Sequence, residues 1–368
     1  MTTENLQELH IAVIGCGYWG SKHVRVLAGL PGVTVSLVDR DDGRRAALEN
    51  SYPIRRSVAD LDEIIGELDA AVIATPPLGH YPLARACLEA GVHAMVEKPL
   101  TTSVAHANHL IELADEKNLA LMVGHTFEFN AAVWKLADVV RSPEFGAVRY
   151  IDSARLNLGL YQPDVDVLWD LAPHDISIIN HVLDDRPTAV SAWGLNLMAD
   201  KPDVAYLKLY YGNQDVGASI HVSWLDPMKV RRTTVVGEYQ MAVYDDIADE
   251  RIKVYDKGVQ SLPKTGDQSQ IPMSYRHGDI VAPFIDFNEP LGLELSSFAE
   301  AIRTGVAPRV DGKSGREVVS VLCAAKDSMA SGGWVDVDYD ASIIDLRNAE
   351  PKADEQSATQ PAESGRGA

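Results

Sequence analysis

The stretch IAVIGCGYWG, residues 11–20, decides the fold, because it joins an apolar run to three glycines spaced as G-x-G-x-x-G. The apolar run predicts a buried strand, and the glycines predict a turn into a helix. Gly15 would form the tight turn, Gly17 would let backbone N–H groups approach a pyrophosphate, and Gly20 would bring the helix close to the sheet. Asp39, which ends the apolar run VTVSLVD, supplies the acidic residue expected about 20 positions later. Together these features predict a dinucleotide-binding turn.

The choice of dinucleotide depends on Asp39 and its neighbours. A carboxylate at this strand end accepts hydrogen bonds from the adenosine ribose and repels a 2′-phosphate, which favours NAD over NADP. Arg40 and Arg44 leave NADP open, because a guanidinium binds a phosphate well. Asp39 could also be an ordinary strand-to-turn residue. We count Tyr18, Trp19 and Arg40 with Asp39 and the glycines as predicted cofactor contacts.

The order of apolar runs predicts two unlike domains. From Ile11 to Thr126, apolar runs alternate with amphipathic segments, which indicates a Rossmann-type, doubly wound parallel sheet. The second half has strands closer together, joined by short turns, which is typical of an open, mostly antiparallel sheet with helices. We therefore expect an NAD-binding domain over residues 1–127 and a substrate-binding and oligomerisation domain over residues 128–347. Residues 348–368 have almost no apolar content and are expected to be a disordered tail.

Composition limits the class of partner and the compartment. The formal net charge of −20 argues against nucleic acid and anionic lipid, which need a basic surface. We find no apolar run of membrane-spanning length and no leader-like N-terminus, and the three cysteines are far apart. The expected location is the cytoplasm. Histidines, carboxylates and cysteines show no zinc-ligand spacing, so no metal is predicted.

Two further motifs contain chemically active groups. In HAMVEKP, Lys98 follows a predicted strand and would lie at the carboxyl edge of the sheet, beside the cofactor crevice. In WDLAPHD, Asp170 and His174 are four residues apart and would share one face of a helix. Each residue also has a plainer interpretation. Lys98 could be a solvated lysine, Asp170 a helix N-cap, and His174 a hydrogen-bonded core histidine.

The ordered motifs GCGYWG, ATPPLGHYPLARACLEAGVHAMVEKPL, GHTFEFN and D-x-x-x-H resemble the Gfo/Idh/MocA family of oxidoreductases up to about residue 345. The resemblance implies a Rossmann domain followed by an α/β domain with a large open sheet, and an active site formed by Lys98, Asp170 and His174. It also implies that the cofactor is lined by Thr75, Pro76, His80, Glu97 and His125. The chain departs from many members at Ser177, where they have an acidic residue, which puts a substrate contact there in doubt.

The predicted reaction is oxidation of a secondary alcohol by NAD. His174 would remove the hydroxyl proton, Lys98 would hold the hydroxyl oxygen, and Asp170 would orient the two groups. Alternatives are a dehydrogenase of a free sugar or inositol, and an NAD-binding regulator without catalysis. The resemblance also implies pairing of the second sheet into a homodimer or homotetramer.

The stretches GCGYWG, RLNLG and DVLWDLAPHD resemble the branch of the family associated with bacterial surface-polysaccharide sugars, which implies a UDP-N-acetylhexosamine or its uronate, oxidised at C3, as the substrate. Its diphosphate would need local cations in so acidic a chain, and the candidates are Arg155 and the cluster Lys229, Arg231 and Arg232, which could also be a solvated strand end. Strand alternation would send Arg231 and Arg232 to opposite faces, so that only one of them reaches the site. Asn157 and Tyr161 are further candidate substrate contacts, or plain turn residues.

Overall fold

The computed structural model describes residues 7–159, 161–162, 164–198, 200–261 and 273–341. Within them the chain forms a six-stranded and a nine-stranded sheet packed with helices. The predicted disordered tail, residues 348–368, lies outside the described residues. No helix in the described part of the chain is both long and apolar enough to cross a bilayer.

The first sheet is entirely parallel, in the order β3-β2-β1-β4-β5-β6. Its central strands are buried along their whole length, which explains why they read as continuous apolar runs. The strands are β1 (Leu9–Ile14), β2 (Val33–Val38), β3 (Ile54–Val58), β4 (Ala70–Ile73), β5 (His93–Glu97) and β6 (Leu121–Gly124).

Helices connect these strands and leave a crevice where the strand order reverses between β1 and β4. In such sheets ligands bind outside the carboxyl ends of the strands at this switch point. The connecting helices are α1 (Tyr18–Leu27), α2 (Asp42–Glu49), α3 (His80–Glu89) and α4 (Val104–Lys117). The parallel ends of β1, β4, β5 and β6 bring Gly15, Thr75, Lys98 and His125 to one edge of the sheet.

The second sheet is antiparallel except where β7 pairs with β10, in the order β14-β13-β12-β11-β7-β10-β9-β8-β15. The predicted fold class, a Rossmann sheet followed by a large and mostly antiparallel sheet, is confirmed. The strands are β7 (Val148–Leu158), β8 (Ala189–Leu195), β9 (Val204–Tyr211), β10 (Val216–Ser223), β11 (Leu225–Gly237), β12 (Met241–Asp245), β13 (Ile252–Ser261), β14 (Met273–Val281) and β15 (Val335–Asp336).

Helices α5 (Ala131–Val140) and α6 (Val167–Leu183) pack against this sheet. Helix α6 begins earlier than its apolar spacing suggests, because Asp166 accepts the N–H of Trp169 and caps it. The alternative that Asp170 is the N-cap is therefore wrong. Pro173 lies inside the helix.

Two long helices return from the second sheet to the first. Helix α7 (Pro290–Thr304) packs against α1, and helix α8 (Gly312–Ser331) packs against β6. Helix α8 lies so close to β6 that a Cβ on Gly315 would be 2.5 Å from the Val123 side chain. Residues 290–331 thus help to fix the first sheet, although they come late in the chain.

Candidate active site

The glycine turn has the geometry that its sequence predicts. Gly15 has a φ of +94°, and a Cβ there would lie 2.8 Å from the carbonyl oxygen of Ala74 on the neighbouring strand. A Cβ on Gly20 would lie 1.8 Å from the carbonyl oxygen of Gly15, so only glycine lets α1 approach the turn. Gly17 occupies the N-cap of α1 and is crowded by no backbone atom, which leaves the helix N-terminus open to an anion.

The carboxylate of Asp39 is fixed beside this turn. One oxygen accepts the N–H of Cys16 at 2.6 Å, and the other accepts the N–H of Asp41 at 2.8 Å. Arg44 Nη1 lies 3.9 Å from Asp39, whereas Arg40 points into solvent beside Asp60. Tyr18 and Trp19 are exposed at the start of α1. Arg44, rather than Arg40, is therefore the arginine that borders the predicted ribose position.

The loop after β4 forms the opposite wall of the crevice. Thr75 Oγ1 is buried and has no hydrogen-bond partner among the described residues, as a group that binds a ligand would. His80 is buried, and its ring nitrogens lie 2.7 Å from the carbonyl oxygen of Pro99 and 2.8 Å from that of Thr75. Burial lowers the pKa of His80, so the neutral ring donates to one of these oxygens at a time. His80 supports the loop through these contacts and does not present a free nitrogen to the crevice, which corrects its expected role.

Glu97 and His125 form the floor beneath Lys98. Glu97 Oε1 lies 2.8 Å from His23 Nε2, and both side chains are buried. Burial alone would raise the pKa of Glu97, but the His23 hydrogen bond and the charge of Lys98 lower it, so the carboxylate is ionised. Burial lowers the pKa of His125 to about 4, and neither of its ring nitrogens has a partner among the described residues. These unpartnered polar atoms and the open glycine turn fit a bound dinucleotide.

Lys98 and Asp170 are directly bonded across the two halves of the chain. Lys98 Nζ donates to the main-chain oxygen of Asp170 at 2.7 Å and to its Oδ1 at 3.1 Å. His174 follows one helical turn later, with its ring 5.0 Å from that of Phe127. Burial, and then the positive charges of Lys98 and Arg155, hold the pKa of His174 well below its usual range. At physiological pH the imidazole is therefore neutral, which is the form that a general base requires.

The two candidate arginines differ in how accessible they are to a ligand. Arg155 is buried, donates to Asp175 at 2.6 Å and lies over the Phe127 ring at 4.5 Å. Its charge is already compensated, so the expectation that it binds a diphosphate directly is corrected. Arg231 is partly exposed and bonds Asp246 at 3.1 Å. It lies on the Arg155 side of the sheet, while Arg232 lines a cleft on the opposite face, in agreement with strand alternation.

The remaining substrate candidates lie near the same edge. Asn157 is two residues after Arg155 on β7 and so shares its face. Tyr161 is exposed, with its ring 5.1 Å from that of Trp224. Among the described residues, no group of three or more histidine, cysteine or carboxylate side chains is placed to hold a metal ion.

Protein-family models match both halves of the chain. The model of the oxidoreductase family with an NAD-binding Rossmann fold, GFO_IDH_MocA, matches residues 9–125, and the model of its C-terminal domain matches residues 133–243. The chain belongs to the Gfo/Idh/MocA family. The predictions of this family, of an oxidoreductase and of NAD as cofactor are confirmed.

Relatives within the Gfo/Idh/MocA family act on different alcohols. A UDP-N-acetylglucosamine 3-dehydrogenase of Acidithiobacillus ferrooxidans is 28% identical over 319 residues, covering 85% of this chain and 94% of that protein. An inositol 2-dehydrogenase of Rhodococcus erythropolis is 28% identical over 352 residues, covering 90% and 96%. These two identities are equal, so identity alone does not select the substrate.

Solved structures agree with the fold. The UDP-N-acetylglucosamine 3-dehydrogenase GnnA of A. ferrooxidans gives a TM-score of 0.73 at 26% identity, covering 88% of this chain and 98% of that one. GenD2 from gentamicin A biosynthesis, in complex with NAD, gives a TM-score of 0.77 at 23% identity, covering 92% and 99%. The second likeness is evidence for the fold alone.

Four residues of this Gfo/Idh/MocA site were not predicted from the sequence. They are His23, Phe127, Asp175 and Trp224, which contact Glu97, His174, Arg155 and Asp170 respectively. His23 had a usable signal, since it lies three residues after Gly20 and so on the sheet-facing side of α1. The other three are brought to the site only by tertiary packing.

Proposed function

We propose that the protein oxidises a secondary alcohol of a sugar, with Lys98, Asp170 and His174 as its reacting groups. NAD, when bound, accepts the hydride. The neutral His174 imidazole accepts the hydroxyl proton, Lys98 Nζ holds the hydroxyl oxygen, and Asp170 keeps Lys98 in place. The observation that carries the proposal is the Lys98–Asp170 bond, one helical turn from a neutral histidine at the edge of the dinucleotide crevice.

The residues that would hold the cofactor surround the switch point. The N-terminus of α1 would bind the pyrophosphate, and Asp39 would bind the adenosine ribose. The unpartnered polar atoms of Thr75 and His125 would bind the nicotinamide half of the cofactor. The full proposed set is Gly15, Gly17, Tyr18, Trp19, Gly20, Asp39, Arg44, Thr75, Pro76, Glu97, Lys98 and His125, with Arg44 in place of the solvent-facing Arg40. In this assignment residues 1–127 supply the cofactor contacts and, through Lys98, one substrate contact, and residues 128–347 supply the other substrate contacts.

The substrate we propose is a UDP-N-acetylhexosamine or its uronate, oxidised at C3. Support comes from the similarity to the UDP-N-acetylglucosamine 3-dehydrogenase over nearly the whole of both chains. Further support is the partly exposed guanidinium of Arg231, which lies near enough to His174 to lower the pKa of that histidine. Asn157 and Tyr161 would complete the substrate contacts on the same side.

A second candidate is a dehydrogenase of a free sugar or inositol, favoured by the inositol 2-dehydrogenase, which is also 28% identical. Turnover should be measured with NAD⁺ and UDP-N-acetylglucosamine, its uronate, glucose and myo-inositol, following NADH absorbance. A kcat/KM at least about tenfold higher for a UDP-sugar supports the proposal, because a bound phosphate adds charge-assisted hydrogen bonds. A preference for glucose or myo-inositol contradicts it, and no turnover with any alcohol favours a regulator.

We also propose that a second copy covers the outer face of the second sheet. Trp193, Tyr206 and His221 stack there in a row, with ring centroids 4.6 and 4.0 Å apart, and Trp193 is 52% exposed. An exposed aromatic row on a sheet face is typical of an interaction surface. Light scattering at micromolar concentration should give the mass of a dimer or tetramer. Trp193→Glu should weaken the association of the subunits, whereas Val306→Glu, on an exposed loop, should not. A monomeric wild-type chain contradicts this proposal.

A further inference from the structure

Trp224 contacts the Asp170 carboxylate at the oxygen that Lys98 does not bond. Its indole Nε1–H donates to Asp170 Oδ2 at 3.1 Å, while Lys98 Nζ donates to Asp170 Oδ1 at the same distance. The two carboxylate oxygens thus have one donor each. We infer that Trp224 is a positioning residue, which fixes the plane of the Asp170 carboxylate and through it the direction of Lys98 Nζ. This inference rests on the proposed function of Lys98 and Asp170.

A single donor would not fix this carboxylate. Rotation about the terminal bond of an aspartate is broad and roughly two-fold, so an oxygen held only by Lys98 exchanges readily with its partner oxygen. The indole N–H is a donor and never an acceptor, so it binds the carboxylate without competing for the Lys98 proton. Hydride transfer is sensitive to small misplacements of the hydroxyl oxygen, and these depend on Lys98 Nζ.

Trp224 is itself held at both its backbone and its ring. The main-chain N–H of Trp224 donates to the carbonyl oxygen of Asp203 at 3.0 Å, and its main-chain carbonyl oxygen accepts the N–H of Gly159 at 2.9 Å. The side chain is 1% exposed, and Tyr161 lies against it at 5.1 Å. A group that positions another must have little freedom of its own, and Trp224 meets this requirement.

Gly159 leaves the space in which the indole lies. A Cβ on Gly159 would be 2.5 Å from Trp224 Cδ1 and 3.0 Å from Cγ, so any other residue there would displace the ring. The glycine of RLNLG therefore has a role that its sequence did not suggest. It allows β7 to end against the indole, and so determines where the indole N–H can be directed.

The test replaces the indole with a ring that has no donor. Trp224→Phe should lower the single-turnover rate with UDP-N-acetylglucosamine and NAD⁺ by about tenfold or more, the scale of a lost hydrogen bond to a charged group. Affinity for NAD⁺ should stay within about twofold, since Trp224 is not in the proposed cofactor set. Trp334→Phe, at an exposed position after α8, is the matched control and should react at the wild-type rate.

A merely structural tryptophan is distinguished by repeating the substitution in an Asp170→Ala background. If Trp224 acts through Asp170, Trp224→Phe should change the residual rate there by less than about twofold, because the partner is already gone. An equal loss in both backgrounds overturns the inference, as does a wild-type rate for Trp224→Phe. Should Trp224→Phe fail to fold, as judged by circular dichroism, Gly159→Ala provides the same comparison by displacing the ring.

The outcomes also separate this inference from the proposed function. If Asp170→Ala alone reacts at the wild-type rate, both the role of Asp170 and that of Trp224 are contradicted. If Asp170→Ala is strongly impaired and Trp224→Phe is not, only the positioning role is contradicted.

Discussion

Arg231 lies directly opposite Arg155 in the register of the antiparallel strands β11 and β7, and each arginine is paired with its own aspartate. Like charges opposite one another destabilise a sheet unless they are compensated. Asp175 compensates Arg155 in the interior, and Asp246 compensates Arg231 where the side chain is still partly exposed. The positive charges of Arg155 and Arg231 also help to lower the pKa of His174. The buried pair therefore supports the site, while the exposed arginine remains available to a ligand.

Arg231→Ala should raise KM for UDP-N-acetylglucosamine about tenfold while changing kcat by less than about threefold. A phosphate contact far from the reacting carbon is equally strong in the ground state and the transition state, so its loss appears in KM. Steady-state kinetics measure both parameters. Arg232→Ala, one residue along on the opposite face, is the control and should leave KM unchanged. A fall in kcat alone would show that Arg231 does not bind the distant end of the substrate.

Arg155→Ala should destabilise the fold by about 3 to 5 kcal/mol, because it leaves the buried Asp175 carboxylate without a partner. Guanidinium denaturation measures the free energy of unfolding. Arg231→Ala should cost less than about 1 kcal/mol, since its ion pair is partly solvated. The double variant Arg155→Ala/Asp175→Ala should recover part of the free energy of unfolding that Arg155→Ala loses. Equal costs for the two single arginine substitutions would contradict the difference in burial.

The buried His125 should make stability fall on acidification. Its pKa is about 4 in the folded state and about 6.5 when unfolded, so below about pH 6.5 the unfolded chain binds a proton that the folded chain does not. The free energy of unfolding should therefore decrease by up to about 1.4 kcal/mol per pH unit between about pH 6.5 and pH 4 on account of this group. His125→Asn should remove that part of the slope, measured by denaturation at several pH values. An unchanged slope would mean that folding does not lower the pKa of His125.

Asp39→Ala should narrow the preference for NAD⁺ over NADP⁺. The Asp39 carboxylate would repel a 2′-phosphate, whereas Arg44 Nη1, only 3.9 Å away, would attract one once the carboxylate is gone. Calorimetric titration with both cofactors measures the ratio of dissociation constants. Asp60→Ala, which frees the exposed Arg40, is the control and should change the ratio little. Tighter binding of NADP⁺ by the wild-type chain would contradict the role assigned to Asp39.

The crevice edge was predictable because its residues follow strands whose apolar runs are visible in the sequence. Gly15, Thr75, Lys98 and His125 each come directly after a parallel strand, and the carboxyl ends of parallel strands meet at one edge. Helical spacing likewise placed Asp170 and His174 on one face. The alternation of side chains along the predicted strand likewise placed Arg231 and Arg232 on opposite faces of the sheet.

Contacts made across the second sheet could not be predicted in the same way. Trp224 lies 54 residues from Asp170, and Asp175 lies 20 residues from Arg155, so no local period relates them. Arg155 was predicted to be a free cation because its counter-ion, Asp175, lies on a different element, helix α6. The support that α8 gives to β6 was missed for the same reason, since it depends on how late elements pack against early ones.

The most direct test of the central claim is to measure turnover and NAD⁺ affinity on the same preparations of wild type, Lys98→Met, Asp170→Asn and His174→Ala. Lys98 and His174 would act on the reacting alcohol, Asp170 would act through Lys98, and of the three only Lys98 also belongs to the proposed cofactor set. Each variant should therefore lose about 10²- to 10⁴-fold in kcat with UDP-N-acetylglucosamine while binding NAD⁺ within about threefold of wild type. Losses below about tenfold in all three variants would contradict the assignment and leave these residues with structural roles alone.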